Sequence, residues 1–219
     1  MTTLLAPRLR VQALATGRGD GAGIAVPLAL RLAARIQERD WDEFTCDPTQ
    51  LANGLRDLVD ACAPDGVPVT SPEILLSGRA DLLVSEQGRA AVEATRRLRA
   101  SMGDRAALVA CLPGPDRVTG GTDGLLAAAK EFLAAGADVI VVGDGDGGAA
   151  EVDLATLANV ARFHRAMAVG IVDGYGLPVV DQVSLTAPRP GVGLVLTDEQ
   201  LPRDTDLGDL ADWLDSVRG

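Results

Sequence analysis

Side chains suited to proton transfer or metal binding near neutral pH are scarce in this sequence, in which histidine occurs once, as His164, and lysine once, as Lys130. The three cysteines, Cys46, Cys62 and Cys111, are widely spaced and include no C-x-x-C pair. A zinc site of the usual ligand types is hard to assemble from that stock, so no metal site and no cofactor is expected. Reduced thiols are the natural reading. A Schiff-base lysine has one candidate, but Lys130 falls inside a predicted helix and away from any strand end. Aromatic residues make up only 3% of the chain, so its core must be built from Ala, Leu and Val. Cations are outnumbered, with a net charge of -11, which argues against nucleic acid as a partner. No apolar run approaches membrane-spanning length, and Met1 to Pro7 lacks the charged start and apolar run of a signal peptide. A cytoplasmic protein with no membrane partner is expected.

What the chain does contain is hydrophobic substance, 47% of 219 residues, enough for one domain spanning residues 1–219. Its organising stretch runs from Phe132 to Gly148. A helix ends at Gly136, the apolar run Val139 to Val142 comes next, and a glycine-rich loop carries Asp144 and Asp146. A run of Val and Ile without polar alternation suits a parallel strand covered on both faces. In a (β/α) barrel the loops after such strands carry the chemistry.

The remaining elements keep the same alternation. A short amphipathic helix is expected in Leu4–Leu14, with Arg8 and Arg10, and a first strand at Gly23–Val26. Leu28–Arg39 has helical spacing and a stripe of Arg31, Arg35 and Arg39, read as a solvated face or an anion site. Asp47 and Pro48 are an N-cap and a first helical residue, and that helix runs to about Cys62. Strands are expected at Val67–Thr70, Ala106–Leu112, Val139–Val142, Val169–Val172 and Val192–Leu196, with Leu177–Val183 as a further short candidate. Helices are expected at Glu86–Met102, Thr122–Ala135, Val152–Met167 and Asp206–Val217. Leu75–Val84 reads as a short hairpin or an extended excursion. About six strands could enter a barrel, short of the eight of the complete (β/α)₈ fold. The fold class is therefore α/β, a truncated or incomplete TIM-like barrel.

Several segments taken in order resemble the uroporphyrinogen decarboxylase superfamily, which also contains corrinoid methyltransferases and cobalamin-independent methionine synthase. Trp41-x-x-Phe44 with Cys46-Asp47-Pro48, leading through a helix to Asp65-Gly66-Val67, is similar to that family's approach to its second strand. Glu93-Ala94-Thr95-Arg96-Arg97-Leu98 and Leu112-Pro113-Gly114-Pro115 resemble its third-strand region. Ala135-Gly136-Ala137-Asp138 resembles the fourth-strand motif, and Leu196 to Thr205 the end of the last strand and its succeeding helix. The resemblance implies a chain that keeps both ends of the barrel and has lost strands between Tyr175 and Val192. None of the family's catalytic identities transfers to this chain. No Arg-Gln pair stands near the first strand, the second rim reads Ser71-Pro72-Glu73, and the last reads Asp198-Glu199-Gln200 where a histidine is expected. The His-x-Cys spacing of zinc-dependent methyl transfer is missing.

Glu73, Asp116, Asp144, Asp146, Asp173 and Asp198 all lie just past predicted strands. Converging carboxylates can act as general acid and base or hold Mg²⁺ through oxygen ligands, or each can hydrogen-bond its own turn. Asp144, Asp173 and Tyr175 are the candidate catalytic residues. Arg117, Glu73, Asp116 and Asp198 are the candidate substrate contacts, since a guanidinium fork pairs with a carboxylate. The resemblance implies a decarboxylase-like lyase acting on a small carboxylate-bearing or tetrapyrrole-like molecule. Methyl transfer is one alternative. Another is a non-catalytic partner subunit, a homodimer formed through the open barrel edge.

Overall fold

The computed structural model describes residues 5–19, 21–76, 81–143 and 152–219. Asp144 and Asp146 lie outside the described residues. Among those described are seven strands: β1 (Ile24–Val26), β2 (Gly66–Thr70), β3 (Ala107–Leu112), β4 (Val139–Val142), β5 (Met167–Gly170), β6 (Asp181–Val183) and β7 (Leu194–Thr197). They pair in parallel as β2-β3-β4-β5 and β1-β7-β6.

Backbone hydrogen bonds join the two sheets at both ends. The Asp65 amide donates to the Ala25 carbonyl at 3.0 Å, linking β1 to β2. Gly170 of β5 donates to Pro178 and accepts from Val180, each at 2.9 Å, linking β5 to the segment that becomes β6. The result is a shortened (β/α) barrel of seven strands. The short candidate at Leu177–Val183 is the seventh. The junction where an open edge was expected, between Tyr175 and Val192, carries backbone pairing.

Strand alternation divides the apolar residues into two cores. Ile24, Val26, Val109, Val141, Val169 and Leu196 point into the barrel, where Val11 and Leu14 from α1 (Pro7–Ala15) join them. Ala25, Val67, Val69, Leu108, Ile140 and Val142 point outward against the helices. Helix α1 thus plugs the N-terminal end of the barrel.

The outer layer is formed by α2 (Leu30–Ile36), α3 (Trp41–Cys46), α4 (Pro48–Cys62), α6 (Glu86–Met102), α7 (Gly121–Ala135), α8 (Ala155–Phe163) and α9 (Leu207–Arg218). Asp47 caps α4, accepting from the Thr49 and Gln50 amides with Pro48 in the first turn, as its sequence predicts. Ser85 caps α6 through the Gly88 amide. Leu75–Val84 is neither hairpin nor excursion at its start, since Pro72–Leu76 forms the short helix α5. Helix α8 stops at Phe163 rather than Met167, because Arg165 takes a positive φ of 58° that ends the helix and frees Met167 to begin β5. No helix separates β5 from β6 or β6 from β7 among the described residues, which is where the barrel is shortened. Helix α9 covers part of that gap, its Trp213 indole donating to the Val183 carbonyl at 3.1 Å. No described helix is long and apolar enough to cross a membrane.

Candidate functional site

The C-terminal ends of the strands open on a cavity of about 520 Å³. Its floor is apolar, formed by Leu28, Cys111, Ile171 and Leu196. Its polar groups come from separate rims. Ser71 and Glu73 come after β2, Arg117 after β3, Gln182 lies on β6, and Asp198, Glu199 and Gln200 come after β7. Three of the substrate contacts expected from sequence, Glu73, Arg117 and Asp198, therefore meet at one mouth. A concave apolar floor with a few converging polar groups is the form that small-molecule sites take.

Local structure accounts for each rim. After β2, Ser71 Oγ accepts from the Ile74 amide and starts α5, which carries Glu73. Glu73 is ion-paired with Arg31 of α2, whose guanidinium stacks 4.6 Å from the centroid of the Trp41 ring. One member of the arginine stripe thus turns toward the rim. After β3, Gly114 opens the 3₁₀ turn Pro115–Arg117. A Cβ at Gly114 would stand 2.6 Å from the Tyr175 hydroxyl, so glycine lets that ring close against the turn. After β7, Thr197 is fully buried and fixes the last rim. Its hydroxyl accepts from the Leu28 amide at 3.0 Å and donates to the Glu199 carbonyl at 2.9 Å. The Leu201 amide donates to the Leu28 carbonyl at 2.8 Å, so the segment Asp198–Gln200 is pinned at both ends.

Other expected site residues lie elsewhere. Asp173 is exposed on the loop after β5 and does not line the cavity. Asp116 is likewise exposed and points toward Gly114 within its own turn. Tyr175 is 4% exposed and belongs to the outer core, packing near Gly143 and Gly170. Its ring braces the rims of β3, β4 and β5 rather than lining the cavity. Asp144 falls just past β4, outside the described residues. His164 ends α8 at the opposite end of the barrel, edge-on to the exposed Phe163.

Sequence reasoning does not assign Gln182 or Gln200 a role. Gln200 Nε2 is buried without a hydrogen-bond partner among the described residues. Beneath the rim, at a shift in the β2–β3 register, Thr70 is fully buried with a hydroxyl that has no partner among the described residues. Cys111 is buried at the floor, and burial pushes its thiol up to about 12. A thiol so held is neutral at physiological pH and a poor nucleophile. Among the described residues no group of three His, Cys, Asp or Glu side chains is placed to hold a metal ion.

A second cavity, of about 270 Å³, sits at the other end against α1 and Gly17, Gly19 and Gly21. Its buried cation, Arg10, is engaged by Asp65 at 3.2 Å and by the Gly23 carbonyl at 2.9 Å. In barrels of this class chemistry belongs to the C-terminal face, so the mouth is the candidate site.

No protein-family model matches the chain, and no curated protein matches it. Among solved structures, a methyltransferase from Methanosarcina mazei has the same fold, with a TM-score of 0.70 over 97% of this chain and 98% of that one, at 12% identity. At that identity the likeness is one of fold alone.

Proposed function

We propose that the mouth cavity is the active site of an enzyme of the uroporphyrinogen decarboxylase-like superfamily, acting on a small carboxylate-bearing molecule. One observation carries this reading: Glu73, Arg117 and Asp198, from three separate rims, line one cavity of about 520 Å³ above an apolar floor. Arg117 is the substrate carboxylate anchor, because its planar fork matches a carboxylate. Asp198 and Glu199 are the groups best placed for proton transfer, in place of Asp173 and Tyr175. Asp144 keeps its proposed role from its position after β4. The reaction class is proton transfer coupled to decarboxylation or elimination.

The charge of the walls narrows the substrate. Glu73 is ion-paired with Arg31, while Asp198 and Glu199 are exposed acids of the lining. A polycarboxylated tetrapyrrole would meet a wall of its own sign. A compact acid fits better.

Methyl transfer is the second reading, favoured by the architecture shared with a methyltransferase. A zinc-thiolate version does not suit the donors described, since among the described residues no two further His, Cys, Asp or Glu side chains are grouped with Cys111, and His164 is at the far end.

Thermal unfolding against a panel of small carboxylates, porphyrinogens and corrinoids tests the site. A ligand at about 100 times its Kd stabilises by about 2.7 kcal/mol. The expected result is a rise with a small carboxylate that disappears in Arg117→Ala. Stabilisation by corrinoids alone would transfer the assignment to methyl transfer, and no rise with any of them would remove the enzyme reading.

A further inference from the structure

In ring order, the rims on either side of Arg117 offer a ligand apolar surface. Pro72 and Leu76 of α5 stand after β2 and Leu28 after β1, while on the other side, past Gly143, stands Ile171 after β5. Each of these four side chains lines the cavity and is only half-buried, so part of its hydrocarbon surface remains open. The polar groups beside them are engaged within the protein. The Leu28 amide donates to Thr197 Oγ1, and the Leu28 carbonyl accepts from the Leu201 amide. Ser71 Oγ accepts from the Ile74 amide, and Glu73 is ion-paired with Arg31. The Ile171 amide donates to the Val142 carbonyl at 2.9 Å. Asp198 and Glu199 come after β7, three strands from β3 one way and four the other. The rims nearer the guanidinium are therefore largely hydrocarbon.

We propose that the cavity selects a short monocarboxylate whose body is plain hydrocarbon, and that it discriminates against the hydroxylated acid on the same carbon skeleton. The inference rests on the small-carboxylate reading of this site and adds the chemistry of the ligand's body. The carboxylate pairs with Arg117, whose five N–H donors can serve a ligand in addition to any protein partner. The body lies against Leu28, Pro72, Leu76 and Ile171, where each methylene removed from water is favourable. A hydroxyl in the same place would lose its water and find the neighbouring polar groups already engaged, which is costly. Both terms act in the same direction.

Methyl NMR of the full chain, labelled at Ile and Leu, follows titration at neutral pH with propanoate, butanoate, pentanoate and hexanoate. Gluconate serves as the hydroxylated counterpart of hexanoate, and hexanamide as its neutral one. The expected result is a Kd that falls roughly two- to fourfold with each added methylene, with movement of the Ile171 and Leu76 methyl signals. Gluconate should bind at least about tenfold more weakly than hexanoate. Ile171→Thr with Leu76→Ser should flatten the chain-length dependence while leaving propanoate affinity within about twofold of wild type. The series on the wild-type protein decides the proposal without any variant. A Kd independent of chain length, gluconate binding as tightly as hexanoate, or a dependence that leaves the Ile171 and Leu76 methyls unmoved overturns it. If acids then still bind and binding is lost in Arg117→Ala, the mouth remains a carboxylate site and only the selectivity for a hydrocarbon body falls. If no acid binds, or hexanamide binds as tightly as hexanoate, the carboxylate-site reading and the proposal fall together.

Discussion

The two ends of this barrel handle charge in opposite ways. At the N-terminal end, acids are buried and fully engaged. Asp138 is 3% exposed, accepts from Arg8 at 2.9 Å and from the Leu108 amide at 2.9 Å, and is ion-paired with Arg99. Asp65 is 4% exposed and accepts from Arg10 at 3.2 Å, Arg218 at 3.1 Å and the Ala25 amide at 2.9 Å. Each acid precedes a strand and receives the amide of the strand before it, while arginines from α1 reach both. At the mouth, Asp198 and Glu199 are exposed on a rim pinned by Thr197. One end spends its polar groups on holding the strands together. The other leaves them facing a cavity, the division expected of a barrel whose chemistry lies at the C-terminal face.

The comparison breaks most visibly at Asp138. Removing one partner from a buried ion network leaves uncompensated charge, at a cost of about 3–5 kcal/mol. Asp138→Ala should lose stability on that scale in urea unfolding, and Asp65→Ala should come close behind, since it releases α1, α9 and β1 together. A loss below about 1 kcal/mol for both, well short of the buried-pair scale, would mean that the buried clamps do not hold the closed end.

Between the two ends, Cys111 offers a pH test. Burial holds its thiol up at about 12, against an ordinary value of 9.0. Above pH 9 the unfolded chain releases this proton while the folded protein retains it, so stability falls as pH rises from about 9 toward 12, by about 1.4 kcal/mol per unit once the unfolded thiol is ionised. Below pH 9 this group contributes no slope. Chemical denaturation between pH 8 and 10.5 should show a shallower alkaline loss in Cys111→Ala than in the wild-type protein. Parallel slopes would mean that Cys111 ionises in the folded state, and the floor of the mouth would then be wet.

The closed end was more legible in the sequence than the open one. The run Val139–Val142, the Asp47-Pro48 helix start and the helix Glu86–Met102 carry local signals strong enough to survive packing. Asp65 and Asp138 were visible as residues before strands, and Arg8 and Arg10 as cations on a short helix. Their pairing was not visible, because it joins residues as much as 130 apart. Helices α3 and α5 are too short to show a period, and β6 is three residues long. At the mouth, Glu73, Arg117 and Asp198, each just past a strand, line one cavity, whereas Asp173 and Asp116, similarly placed in the sequence, do not. Position along a strand does not specify the direction in which a loop turns. Tyr175 looked like a proton donor because it is the sole tyrosine at a rim, but the rim glycines 114, 143 and 170 leave the space into which its ring packs. Gln182 and Gln200 carry no spacing signal, since a lone amide on a rim is defined only by its surroundings.

The smallest expected effect sharpens the comparison from the other side. Asp198→Asn and Glu199→Gln each remove an exposed charge on the mouth rim, so each should change stability by no more than about 0.5 kcal/mol. Because Asp198 and Glu199 share a wall with the acidic hollow at Asp204, Asp206 and Asp209, the change has a sign. Relief of like-charge repulsion should raise the melting temperature slightly at low salt, and the gain should vanish at high ionic strength. Thermal unfolding of the double variant at low ionic strength, on the order of 0.01 M, and at high ionic strength, on the order of 1 M, checks both features. A gain at low salt would mean that the mouth acids oppose stability, as expected of groups placed for a ligand. A loss comparable to that of Asp138→Ala would make the two ends alike, and the mouth would then be a second structural clamp.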